Sequence, residues 1–379
     1  MNNSIKLLFA GDFGTRAPEK IIVAEDVKTL LNSTDLNILN FEGPLSSEEK
    51  CTANKTILKQ SEKSAEWCSK YGFNVVTVAN NHAFDYGQAG LKRTMQSLDD
   101  SNIIHVGAGT WENAYSIKTI EIKGKKIGFF AATSCDLASL KDKLYDYDKI
   151  GCAWINHPDT RRTIINCKKS CDYLFVLAHG GVEYMDIPLP EWREIYKELI
   201  DLGADGIIAS HPHVPQGVEE YKGKPIFYSL GNFFFEGSGE LNARKPPHWN
   251  TGLIAIIEIT DTNIKYCTLT TVRDCYSLSI DNSEETKSHI TYINKVLNDK
   301  ELYCKKLEES VIKFHHKYKS WLLCGLNAKE IKFSIRNIVG YIKGLFRKPN
   351  ERVAMHQLRE ESTRWTIERA FKIRTKTQL

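Results

Sequence analysis

The chain has 379 residues, of which 42% are apolar and 26% charged, with a formal net charge of +4. That balance fits one large or two ordinary globular domains and excludes a disordered, fibrous or repeat-built chain. No stretch approaches the roughly 20 apolar residues of a membrane span.

The ten cysteines show neither CxxC pairs nor a framework spacing, so they read as reduced thiols. The start, Met1 to Lys6, runs into an apolar strand without the pattern of a signal peptide, and the expected location is the cytoplasm. Charge is unevenly divided: residues 281–379 hold 21 Lys and Arg against 12 Asp and Glu, while the first 280 residues are net acidic.

The first strand, Ile5 to Ala10, ends in Gly11-Asp12-Phe13-Gly14, which puts Asp12 at a strand tip beside a glycine that permits close backbone approach. A short helix over Glu25 to Leu31 leads to the strand Leu36 to Phe41, whose end is Asn40-Phe41-Glu42-Gly43-Pro44. A helix over Ser61 to Tyr71 then precedes the β-branched run Phe73 to Val78 and its end, Asn80-Asn81-His82-Ala83-Phe84-Asp85. A helix from Gly87 through Leu98 and the strand Ile103 to Val106 continue an alternation that predicts parallel βαβ units.

Further along, Ser116 to Glu121 and Lys126 to Ala132 read as a hairpin around Lys123-Gly124-Lys125. After a helix over Arg161 to Cys171, the strand Tyr173 to Ala178 ends in His179-Gly180-Gly181-Val182-Glu183. The helix Pro190 to Leu202 places Trp192, Ile195, Leu199 and Leu202 on one face, and the strand Gly206 to Ala209 ends in Ser210-His211-Pro212-His213. Pro225 to Leu230, Gly252 to Ile259 and Lys265 to Val272 are expected to complete a second, largely antiparallel sheet.

Asp12, Glu42, Asn81, His179, His211 and His213 thus all follow strands, although tens of residues separate most of them. Singly each has a plain structural reading, such as a helix cap for Asp12 or a core position for His179. Together, two carboxylates, an amide oxygen and three imidazoles suit two divalent ions such as Mn, Fe or Zn, and a carboxylate can bridge such a pair. The His-x-His pair is expected on extended backbone, where alternate side chains point the same way.

At these residues the sequence resembles the bacterial capsule-biosynthesis CapA-like family, within the calcineurin-like metallophosphoesterase superfamily. The motifs that carry the resemblance are Gly11-Asp12, Asn40-Phe41-Glu42-Gly43-Pro44, Asn80-Asn81-His82-x-x-Asp85-x-Gly87, His179-Gly180-Gly181-x-Glu183, His211-Pro212-His213-x-x-Gln216 and Ser229-Leu230-Gly231-Asn232-Phe233. The resemblance implies an α/β chain folded as a four-layer α/β/β/α sandwich, with Glu42 bridging two metals, Asp12 and His213 on one, and Asn81, His179 and His211 on the other. The superfamily's Asp-x-His is here Asp12-Phe13-Gly14, so one imidazole is absent. The resemblance also implies a role in capsule or poly-γ-glutamate production.

The expected activity is metal-dependent hydrolysis of a phosphoester, with His82 as acid and Asp85 orienting it. Asn40, Glu183, Arg244, Lys245 and His248 are candidate substrate contacts, the last three in a basic loop. The rival expectation is a non-catalytic component that binds a polyanion. Residues 1–280 are expected to form the catalytic domain and 281–379 a basic helical region, with helices over Glu284 to Leu297, Glu301 to Leu323, Glu330 to Phe346 and Glu351 to Phe371. The third of these is amphipathic and basic, which suggests peripheral contact with the inner face of a membrane. The other expected partners are an anionic envelope polymer or phosphorylated glycan precursor and a second copy of the chain. Nucleic acid is not expected, since no recognised module frames the basic residues.

Overall fold

The apolar runs of the sequence become the inner strands of two sheets in the computed structural model, which describes residues 4–48, 56–134, 136–146, 148–167, 169–236, 245–260, 263–322 and 360–375. The described residues fall into two compact units, one reaching Asp299 and the other beginning at Lys300.

The first unit opens with β1 (Ile5–Gly14), β2 (Ile22–Val23), α1 (Glu25–Leu31), β3 (Leu36–Phe41), α2 (Ser64–Lys70), β4 (Phe73–Thr77), α3 (Gly87–Asp100) and β5 (Ile104–Val106). After the short pieces β6 (Ala108–Gly109) and α4 (Trp111–Ala114) come the hairpin β7 (Lys118–Ile122) and β8 (Lys125–Thr133), then β9 (Ser139–Leu140) and β10 (Gly151–Ala153). The chain goes on through α5 (Pro158–Cys167), β11 (Tyr173–His179), α6 (Pro190–Asp201), β12 (Gly206–Ser210), β13 (Pro215–Tyr221), β14 (Lys224–Leu230) and β15 (Asn232–Phe235). It closes with β16 (Thr251–Ile259), β17 (Ile264–Asp274), β18 (Ser277–Ile280) and α7 (Glu284–Asn298).

One sheet runs β2-β18-β17-β16-β1-β3-β4-β5, with β15 beside the end of β1; the other runs β13-β14-β12-β11-β8-β7. The β1-β3-β4-β5 portion is parallel, as the βαβ alternation predicts. The expected antiparallel second sheet is corrected. β16 and β17 extend the first sheet instead, β16 antiparallel to β1 and β17 antiparallel to β16, while β14 lies parallel to β12 in the second sheet. β16 can join β1 because both are buried apolar runs of matching length, and alternation along the chain says nothing about which sheet accepts a later strand.

The sheets pack face to face: Phe9 of β1 meets Phe175 of β11 at 5.5 Å between ring centroids and Phe129 of β8 at 6.4 Å. α2 and α3 lie against β4 and β5, while α5 and α6 lie against strands of the second sheet, completing the α/β/β/α layering. On α6 the buried side chains are Trp192, Tyr196, Leu199 and Ile200. This apolar stripe includes Tyr196 and Ile200, whereas the sequence pattern picked Ile195 and Leu202. α7 belongs to this first unit, with Ile290 and Ile293 in its core and Asn294 Oδ1 accepting the Val218 N–H at 2.9 Å. It was expected to open the C-terminal region.

The second unit contains α8 (Lys300–Leu322) and α9 (Glu361–Thr375), which pack on each other. The amphipathic helix expected over Glu330 to Phe346, and with it the membrane contact, lies outside the described residues. Among the described residues no helix is long and apolar enough to cross a membrane.

Candidate metal centre

The first carboxylate is positioned by a backbone approach that only glycine permits. A Cβ on Gly11 would lie 1.9 Å from the Gly231 carbonyl oxygen. Its absence lets β1 close on the turn before β15, where the Asp12 N–H donates to Gly231 O at 2.9 Å. The β1–β3 register shifts between Phe9 and Asp12, which sets Asp12 opposite Asn40. Asp12 therefore sits within an extended β1 rather than beyond its tip.

Asn40 joins the ligands to one another. Its Nδ2 donates to Asp12 Oδ1 at 2.7 Å and to Glu42 Oε2 at 3.4 Å, and its Oδ1 accepts Asn80 Nδ2 at 3.3 Å. Expected as a substrate contact, it is 3% exposed and committed to the carboxylates. Asn80 also donates to Phe41 O and accepts the His82 N–H, so the turn after β4 is tied to the end of β3.

His211 and His213 correct the sequence argument for this pair. Their φ angles are +104° and +59°, a left-handed turn that β-carbons disfavour, so the two rings diverge instead of lying on one face of a strand. His211 Nδ1 lies 3.2 Å from His179 Nε2, which is 2.9 Å from Asn81 Oδ1. His213 turns the other way, with Nδ1 3.2 Å from Asp12 Oδ2 and Nε2 3.6 Å from Glu42 Oε1.

The donor set fits divalent cations. Ligand bonds of about 2.0–2.2 Å place neighbouring donor atoms about 3.0–3.5 Å apart. The Asp12, Glu42 and His213 side chains, all buried, offer donor atoms within 4.8 Å of one another. Two imidazole nitrogens facing each other at 3.2 Å suit a shared cation. If His179 Nε2 holds a cation, the ring proton sits on Nδ1, where Ser210 Oγ at 3.1 Å accepts it.

Charge differs across the site. Burial lowers the proton affinity of His213, but the Glu42 and Asp12 carboxylates outweigh it and raise the pKa to about 9. Burial dominates at His211 and lowers it to about 4, although Glu183 pulls the other way.

His82 lies at the edge of the carboxylates, with Nε2 4.0 Å from Glu42 Oε1. Asp85 Oδ2 holds its Nδ1 at 2.6 Å and accepts the Leu58 N–H at 2.7 Å, so the orienting carboxylate is itself fixed. Of the other expected contacts, Glu183 hydrogen-bonds Tyr184, and its charge acts on both His211 and His213. Lys245 Nζ sits 3.8 Å over the Trp249 ring, which lies 4.9 Å from the His213 ring. His248 stacks on His289 of α7 at 3.6 Å, and Arg244 lies outside the described residues.

Several residues of the site were given no role of their own from sequence, although Asn80, Ser210 and Asn232 stand in the quoted motifs. Asn232 Oδ1 lies 2.9 Å from His213 Nδ1, and its Nδ2 donates to His213 O and Trp249 O. Ser210, Asn80, Tyr184 and Trp249 join it. Ser210 immediately precedes His211 and Asn232 follows the Gly231 turn, so adjacency to turn residues was the available signal.

Residues 8–237 match the family described as "Bacterial capsule synthesis protein PGA_cap". The chain is 32% identical over 225 residues to the capsule biosynthesis protein CapA of Bacillus anthracis, covering 56% of this chain and 54% of that protein. It is 33% identical over 221 residues to the PGA biosynthesis protein CapA of Bacillus subtilis (strain 168), covering 55% and 56%. It spans about half the length of these curated relatives. Among solved structures, the sulfate thiohydrolase SoxB of Thermus thermophilus aligns with a TM-score of 0.44 at 8% identity, over 77% of this chain and 60% of that one.

Proposed function

The chain belongs to the bacterial capsule synthesis protein family PGA_cap, and from that membership we propose that it is a metal-dependent phosphoester hydrolase acting in the assembly of a capsule or other envelope polymer. The observation that carries the reading is the convergence of Asp12, Glu42 and His213 beside Asn81, His179 and His211. Asp12 and His213 would hold one divalent ion, Asn81, His179 and His211 a second, and Glu42 both. Two such ions supply an activated water and stabilise charge on the phosphoryl oxygens.

The remaining work falls to the protein. Asn40 fixes the Asp12 and Glu42 carboxylates by donating to both. Asp85 holds His82 with Nε2 toward the site, where it delivers a proton to the departing oxygen. Lys245, over the Trp249 ring that in turn lies 4.9 Å from the His213 ring, adds positive charge for an anionic substrate. The substrate class we propose is a phosphorylated precursor of an anionic envelope polymer, in keeping with the relatives named for capsule and PGA biosynthesis.

One observation favours a second reading, a component that binds a polyanion without turnover. Position 14 is glycine, and a Cβ there would meet the Phe235 ring at 2.7 Å, so the acidic half lacks the imidazole of the superfamily's Asp-x-His. Metal analysis of the purified chain with a panel of phosphomonoesters and phosphodiesters decides between them. Bound metal with turnover supports the hydrolase, whereas a chain inert with Mn, Fe and Zn supports the binding component.

A further inference from the structure

A second cleft opens on the lateral edge of the sandwich, where β5 ends the first sheet and β7 ends the second. Its volume is about 550 Å³, within the roughly 300–1,000 Å³ of small-molecule sites. Helix α3 supplies Lys92, Met95, Gln96 and Asp99 to its lining, β5 supplies His105, and the following segment supplies Asn113 and Lys118. None of these residues belongs to the metal centre.

The charges of the cleft do not cancel. Lys92 and Lys118 pair with no carboxylate among the described residues. The one carboxylate in the lining, Asp99, is already engaged, with Oδ1 3.3 Å from His105 Nε2. Burial lowers the proton affinity of His105 against the pull of the Asp99 carboxylate, and the charge of Lys118 lowers it further, so the lysine's field is felt at His105. Two lysines in one lining match a doubly charged anion, while Gln96, Asn113 and Met95 beside them suit an uncharged polar body attached to it. We propose that this cleft binds a small organic phosphate of sugar-phosphate or mononucleotide size.

The test uses the full-length chain with EDTA present, so that the metal centre cannot hold the phosphate. AMP, glucose 6-phosphate and glutamate are titrated calorimetrically at low salt. The expected result is saturable binding of AMP or glucose 6-phosphate at up to about 1 mM, weakened by added salt. Combined Lys92→Glu and Lys118→Glu should weaken it at least about tenfold, and Glu42→Ala should leave it unchanged. Lys92→Gln with Lys118→Gln should give an intermediate loss, and matching thermal unfolding of all variants keeps folding out of the comparison. Absence of binding by both phosphates, binding of glutamate alone, or binding that survives charge reversal but is lost in Glu42→Ala would each overturn the proposal.

Discussion

His211 and His213 are two residues apart on one turn and are 6% and 4% exposed, yet they hold protons oppositely. His213 stands among carboxylates and its pKa rises to about 9, whereas His211 faces another imidazole and burial lowers it to about 4. The two halves of the centre are therefore unlike before any ion arrives. One is acidic and already carries a proton; the other is built from neutral donors. Equal burial does not decide the charge of a histidine when carboxylates stand within 4 Å of the ring nitrogens of His213, whereas Asp12 reaches only the backbone N–H of His211.

Removing Glu42, the carboxylate proposed to serve both halves, should have the largest effect. Glu42→Ala is expected to lower bound metal at both, by more than the roughly 10–100-fold that losing an outer partner costs, and to abolish turnover. Metal content by mass spectrometry checks this. Normal stoichiometry would mean that Glu42 joins nothing.

His82→Gln should keep the metal and the fold while turnover of substrates with poor leaving groups falls about 10²–10⁴-fold. An activated aryl phosphodiester should suffer less. Parallel plots of rate against leaving-group pKa for wild type and variant would exclude the acid role.

The outer partners separate the halves. Asn232→Ala should weaken the acidic half and Ser210→Ala the imidazole half, each by about 10–100-fold in metal affinity. Competition titrations with a chelator should resolve two affinities, and each variant should shift only one. If both variants shift the same affinity, the two halves are not separate.

Proton balance gives the smallest effect. At pH 7.5 the metal-free chain carries a proton on His213, whose pKa lies near 9, and none on His211, whose pKa lies near 4. Metal binding at the acidic half should release about one proton, so affinity should rise with pH up to about 9. Calorimetry in buffers of different ionisation enthalpy measures this release, and it should disappear in His213→Ala. Linkage applies the same shifts to stability. The raised pKa of His213 stabilises the metal-free fold below its ordinary value of 6.5, and this is lost as pH rises through about 9. The lowered pKa of His211 stabilises it above 6.5, and this is lost as pH falls through about 4. Together they contribute most near pH 6.5, a maximum that denaturant midpoints between pH 4 and 9 would locate and that should flatten when both histidines are replaced.

The sequence by itself determined the strands, their alternation with helices and the set of polar residues that follow the strands. Short β-branched runs such as Phe73 to Thr77 read as strands, and all of that strand but Asn74 is buried. Asp12, Glu42, Asn81, His179, His211 and His213 stood out because each follows such a run. Only the tertiary structure decided which sheet β16 and β17 join, since either sheet could take an apolar strand and the choice rests on pairing with β1. It also decided that His211 and His213 diverge, because both take left-handed φ angles in the folded chain, whereas local sequence favours extended backbone. The tie of Asn40 to the carboxylates and the contacts of Ser210 and Asn232 could not be read beforehand for a related reason: a short polar side chain at a strand end acquires its role from the atoms that distant strands bring within 3.1 Å of it.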